Sequence, residues 1–221
     1  MAVVEVSMRA IHAVTVEMHG GMLTLAIACV LIKMADLTYQ RFFPGKVPKL
    51  YGYFARVSAL AGPAAILAAV GGVLGLIASA ITGYLMSPGS SLTDDPLAMN
   101  KVMVTIFAIE LWTIFIVLAV RNSRDLWTVR RPLPLLASTA AFLGFVSSAI
   151  GGSLGGTMAG KGSILDPLWG LLGVDLHSSW ILTIQTAVPI AAVVNAAAVL
   201  LLVRHARRSS AAKTFAEDWI P

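Results

Sequence analysis

Histidines carry most of the ligand chemistry this sequence offers. His12 and His19 lie seven residues apart in IHAVTVEMHGGMLTLAIACVL, and His177 opens a later apolar run in DLHSSWILTIQ. Seven residues is close to two helical turns, so His12 and His19 share one face if the helix starts early. His19 and His177 stand at the starts of two apolar runs that enter a membrane from the same side. Two histidines on different helices at one depth is the arrangement a b-type haem needs. Each neutral imidazole offers one nitrogen to the iron while its other N–H is held by an acceptor. Glu17, Asp175 or a backbone carbonyl could be that acceptor. Gly20 and Gly21, next to His19, would let a porphyrin edge approach the backbone. Two plainer readings stand beside this one. Histidine tips in the headgroup region cost little and need no cofactor. Met8, His12, Met18, His19 and Met22 form a thioether and imidazole set that suits copper, Cu(I) especially, although methionine is also a common gap-filler in apolar helices.

The elements that must position these residues are membrane helices. Apolar residues make up 57% of the 221 positions and charged residues only 12%, against roughly 25% charged in soluble domains. Mean hydropathy is +0.83. The expected fold is an all-α polytopic bundle in a prokaryotic cytoplasmic membrane. The single cysteine, Cys29, excludes an internal disulfide framework and any Cys-based zinc or iron–sulfur site. A net charge of +5 does not imply nucleic acid, because the positive charges sort by membrane side.

Five spans are expected, at about 20–38, 58–86, 102–120, 133–158 and 178–203. Each is near or above the roughly 20 residues needed to cross a bilayer. Residues 1–18 lack the basic start and small-residue cleavage site of a signal peptide, and the segment is expected to be retained. Arg41, Lys46, Lys49 and Arg56 lie between the first two spans, and Arg121, Arg124, Arg130 and Arg131 between the third and fourth. Arg204, Arg207, Arg208 and Lys213 follow the fifth. The alternate loops carry Asp94 and Asp95 with Lys101, and Lys161 with Asp166 and Asp175. Loops rich in Lys and Arg stay cytoplasmic. Five spans with the N-terminus outside and the C-terminus inside satisfy every loop. The organisation expected is one transmembrane domain over 1–208 and a cytoplasmic tail over 209–221.

Small-xxx-small pairs let membrane helices approach closely. Gly71/Gly75 in span two and Gly151/Gly155 with Gly152/Gly156 in span four predict packing of span two on span four. The same flat faces could instead accept a planar cofactor or a lipid tail. Glu110, the one acid near mid-span, should face the bundle interior. It could relay protons or bond a quinone, with Gln185 nearby, or simply bond Gln185 or Asn195 as a buried acid. Lys33 and Asp36 read as structural, with the lysine snorkelling to water. Pro189 is expected to kink span five. His205, among arginines on the other side, is expected to be solvated near anionic lipid.

No Walker loop, HExxH, Gly-x-Ser-x-Gly or loop-to-helix GxGxxG appears, and five spans cannot form two equal inverted halves. The MHGGMLTLAI and GGSLGG stretches resemble the His-Gly helix opening and the glycine-rich packing helix of small membrane-bound b-type cytochromes. In outline the chain is also similar to small four-span membrane proteins with an early histidine and a late Gly-Gly helix. Such cytochromes place paired histidines within their spans, whereas spans two to four here carry none, which limits the chain to one haem. The resemblance implies a membrane-anchor subunit of an electron-transfer complex, with one haem b near the outer face exchanging electrons with quinone. Its partners would be other membrane subunits and lipid. The alternatives are a cofactor-free accessory subunit of a larger membrane enzyme and a copper-binding membrane protein.

Overall fold

A computed structural model describes residues 2–43, 48–86, 95–122, 126–127, 132–173 and 193. The chain divides into two units, 1–181 and 182–221; apart from Val193 the second lies outside the described residues. The first is helical: α1 (Ala2–Phe42), α2 (Pro48–Met86), α3 (Pro96–Arg121), α4 (Leu133–Met158) and the short α5 (Asp166–Leu171). Four of these are long and apolar enough to cross a membrane: Ser7–Phe42, Tyr51–Met86, Pro96–Arg121 and Leu133–Met158. The protein is an integral membrane protein with four such helices among the described residues. The fifth expected span, 178–203, lies outside them.

Helix ends follow local chemistry. No proline interrupts the chain before Pro44, so α1 runs unbroken from Ala2 and stops ahead of it, where the ring disfavours helical backbone in the residue before. Its start is therefore well before the expected residue 20. Glu5, Arg9, His12 and Glu17 lower the hydropathy of the first turns without preventing helix. Pro48 opens α2, ten residues ahead of the expected Ser58. Asp95 caps α3, its carboxylate accepting from the Leu97 N–H at 2.9 Å, with Pro96 in the first turn. Met99, Asn100 and Lys101 are thus helical, although the loop expected from hydropathy included them. α4 keeps the expected bounds.

α1 packs mainly on α2 and α3 mainly on α4; α2 also meets α3 and α1 meets α4, closing a ring of four. The interior is built of small residues, with Ala61, Ala65, Ala68 and Ala69 of α2 buried against Leu23, Ala26 and Val30 of α1. Trp112 is the largest fully buried side chain, and it fits where Gly144 of α4 has no side chain. The outer faces are apolar in turn: Leu60, Leu67 and Leu74 repeat every seven residues along exposed α2. An apolar exterior over a small-residue interior is what lipid solvent asks of a bundle.

The glycines correct the expected helix pairing. Gly71, Gly72 and Gly75 face Met22, Leu23 and His19 of α1, not span four. Gly151 faces Val104 and Thr105 of α3, and Gly155 faces Lys101. Gly152 meets nothing within 4 Å, and Gly156 abuts the Gly162 carbonyl of the following turn.

Candidate functional site

Because α1 begins early, His12 and His19 lie on one face of it, and that face looks at α2. His19 is buried, and a side chain at Gly75 would come within 2.8 Å of its Cβ. His12 sits against Gly83, one further step along the α2 face, its Cε1 3.2 Å from where a Cβ would be. The His12 ring thus occupies a place that Gly83 leaves open, whereas Gly75 lets the α1 backbone at His19 come close to α2.

A hydrogen bond decides the His19 tautomer. His19 Nδ1 lies 2.9 Å from the Thr15 carbonyl oxygen. A carbonyl only accepts, so Nδ1 carries the proton and a neutral ring keeps its lone pair on Nε2. His12 Nδ1 lies 2.9 Å from Thr82 Oγ1, itself 2.9 Å from the Ala78 carbonyl oxygen. Thr82 has one proton for the Ala78 carbonyl, the Ser79 carbonyl at 3.2 Å and His12 Nδ1, so this bond holds the His12 ring in place without fixing its tautomer. Thr15 completes the set by donating to the His12 carbonyl at 2.8 Å. Holding one ring nitrogen so that the other is free to bind is how proteins prepare metal-ligating histidines.

The other expected site residues divide clearly. Gly20 and Gly21 are exposed, and a Cβ on either would meet nothing within 4 Å. Met18 is exposed while the neighbouring His19 is buried, and Met22 lies over Gly71. Among the described residues no group of three His, Cys, Asp or Glu side chains comes together to hold a metal ion. Glu110 is partly buried midway along α3. His177, Gln185, Asn195, Asp175, Pro189 and His205 lie outside the described residues.

A second polar centre lies at the opposite end of the α1–α2 pair and extends well beyond the Lys33 and Asp36 charges. Asp36 is buried. Its Oδ1 accepts from Tyr51 OH at 2.8 Å and from Gln40 Nε2 at 3.0 Å, and its Oδ2 accepts from Ser58 Oγ. Lys33 Nζ donates to Ser58 at 3.1 Å, lies 3.9 Å from the Asp36 carboxylate, and sits over the Trp127 ring at 5.9 Å. Lys33 therefore turns inward, against the expected snorkelling, because a carboxylate, a hydroxyl and an aromatic face together replace water. Tyr51 also stacks on Tyr39, the ring centroids 4.4 Å apart. The sequence signal was the i,i+3 charge pair inside an apolar helix; its partners on α2, Tyr51 and Ser58, carry no motif. No family model matches the chain, and neither a curated protein nor a solved structure matches it.

Proposed function

We propose that this chain is the membrane-anchor subunit of an electron-transfer complex, holding one b-type haem through His19 and His177 and exchanging electrons with quinone. The observation that supports it best is the His19 tautomer: the Thr15 carbonyl holds Nδ1–H and leaves Nε2 with its lone pair, in a buried position. A neutral imidazole so oriented is the donor an iron axial site takes. When bound, a haem would supply one-electron transfer. The part of this chain's own residues is to fix the ring: Thr15 sets its orientation, and Gly75 lets α2 approach the α1 backbone that carries it. Glu110 and Gln185 are the proposed quinone or proton contacts. The setting is a prokaryotic cytoplasmic membrane, with five spans, N-terminus outside and C-terminus inside, among other membrane subunits.

One observation favours a second reading, a cofactor-free accessory subunit. His19 is wedged on Gly75 and bonded within its own helix, so packing alone accounts for a buried imidazole. Haem per chain and the reduced-minus-oxidised spectrum decide between them. Wild type is expected to carry one low-spin haem, and both His19→Ala and His177→Ala to lose it. His12→Ala should be more tolerant, and His205→Ala silent. Full haem with an unchanged spectrum in His177→Ala sinks the two-histidine reading. A haem-free wild type leaves the accessory reading, with copper content as the remaining check.

The orientation has its own test, resting on the Lys and Arg sorting. A reporter fused after Pro221 is expected in the cytoplasm and one inserted near Ser90 outside. Finding both on one side would remove the five-span arrangement and the shared depth of His19 and His177.

A further inference from the structure

The chain does not run straight out of the bundle after α4. Gly160 and Gly162 take left-handed backbone, with φ of 68° and 66°, a conformation that glycine adopts at little cost. They turn the chain back along α4, and Gly156 admits it, since a Cβ there would collide with the Gly162 carbonyl oxygen. Two hydrogen bonds then meet at one hydroxyl of α4. Ser153 Oγ donates to Ser163 Oγ at 2.9 Å and accepts from Trp169 Nε1 at 2.9 Å. Ser163 Oγ also accepts from the Leu165 N–H at 3.1 Å, and the Ser163 N–H donates to Asp166 Oδ2 at 2.8 Å. Ser153 stands five residues before the last residue of α4, Met158, about 7.5 Å of helical rise. The turn and α5 therefore fold back beside α4 instead of standing beyond its end.

Depth follows from what α5 touches. Leu165 and Trp169, one helical turn apart, pack in a cluster with Leu97 and Val104 of α3 and Ala149, Ile150 and Leu154 of α4. α3 has 26 residues, about 39 Å at the helical rise, against a hydrocarbon core of about 30 Å. Shared between its two ends, the excess is about 4.5 Å at each. Val104 lies eight residues past Pro96, the first of that helix, about 12 Å along it. α5 thus rests on a part of the bundle that lipid tails surround.

Its other side chains suit that depth. From Ser163 to Leu172 the only charge is Asp166, tied to the Ser163 N–H. Ile164, Leu168, Leu171 and Leu172 are exposed, Ile164 by 96% and Leu171 by 84%. A helix that is apolar all round is one that is buried, in protein or in a membrane. The apolar patch also continues the outer surface of α4, whose last residue, Met158, is exposed.

We propose that residues 163–172 form a re-entrant segment, clamped to α4 by Ser153, whose exposed side chains Ile164, Leu168, Leu171 and Leu172 are seated among the lipid acyl chains at this end of the bundle. Lipid is favoured over a second protein because membrane helices meet one another through small residues, whereas the large side chains here are an isoleucine and three leucines. The segment stands apart from the haem reading and does not depend on it.

The test uses the full chain in phosphatidylcholine nanodiscs, with Cys29→Ala removing the buried native thiol. Ile164→Cys and Leu171→Cys, at exposed positions where folding has little at stake, each take a nitroxide label. Its spin relaxation is measured with oxygen, which concentrates in lipid tails, and with a water-soluble nickel chelate. Leu67→Cys, on the exposed face of α2, is the lipid-facing reference. Both labels are expected to favour oxygen over the chelate, as the reference does, at a shallower depth. A label that favours the chelate places the segment in water and overturns the proposal. Shielding from both reagents places protein over the patch and overturns it equally. Ser153→Ala removes the hydroxyl that Ser163 and Trp169 share, and should shift the Leu171→Cys label toward the chelate; an unchanged depth would overturn the clamp.

Discussion

Replacing Asp36 with leucine is expected to destabilise the bundle by about 3–5 kcal/mol, the range for breaking a buried pair by removing one partner. Two effects contribute, and they differ in size. Hydrogen bonds between membrane helices average about 0.6 kcal/mol and rarely exceed about 1.7, so the bonds from Tyr51 and Ser58 explain roughly the smaller part. The larger part is the Lys33 ammonium, left facing Ser58 and the Trp127 ring with its counter-charge gone. The double variant Lys33→Met with Asp36→Leu should therefore recover more than half of the loss, since apolar replacement of a whole buried pair is often neutral. Thermal or denaturant midpoints of the two singles and the double give the coupling directly. An Asp36→Leu protein within about 0.5 kcal/mol of wild type, the ordinary scatter of surface changes, would show that this centre is incidental.

The second large effect is expected at Gly75. A methyl group there meets His19 at Cβ, Cα and N, at 2.8, 3.2 and 3.3 Å. Two of those three atoms are backbone, so relief requires α1 and α2 to move apart. Gly75→Ala should cost about 1–3 kcal/mol, the usual range for overpacking, and Gly75→Leu more. Gly72→Ala should cost a similar amount, because there the added group lands on Cδ2 and Cγ of Leu23, a side chain already packed in the core. Gly20→Ala and Gly21→Ala meet open space and should be neutral or favourable, by up to about 1 kcal/mol of helix propensity. Equal losses at Gly20 and Gly75 would mean that the α1–α2 contact is misread.

That contrast shows what was legible beforehand. Apolar runs mark what lipid must surround, so four helices and the bounds of α4 could be read directly. The early start of α1 could not, because hydropathy senses the slab and not the backbone ladder, which continues through Glu5, Arg9 and Glu17. Helical periodicity placed His12 and His19 on one face, but it is silent on which helix that face meets. For this reason the sequence points to Gly20 and Gly21, adjacent to His19, whereas Gly75 and Gly83, distant in sequence, are the glycines that meet the two histidines, Gly75 at the His19 backbone and Gly83 at the His12 ring. Hydropathy alone puts Lys101 in a loop, because its charge lowers the local average. The Asp95–Pro96 pair was the available signal that a helix had already begun. The Asp36 centre draws its α2 partners from 15 and 22 residues downstream, on a second helix that no local pattern can see.

The order of helix pairing bears on how such a chain is assembled. α1 finds its main partner in the helix made next, and α3 does the same with α4. The connecting segments are short, so closing each pair costs little chain entropy. Contacts made mostly between sequence neighbours favour rapid folding. During synthesis the first hairpin can bury its Asp36–Lys33 pair and seat both histidines on α2 before α3 emerges. What remains is the docking of two finished hairpins, and the helices that meet in that step, α2 with α3 and α1 with α4, are the ones on which the timing of assembly depends.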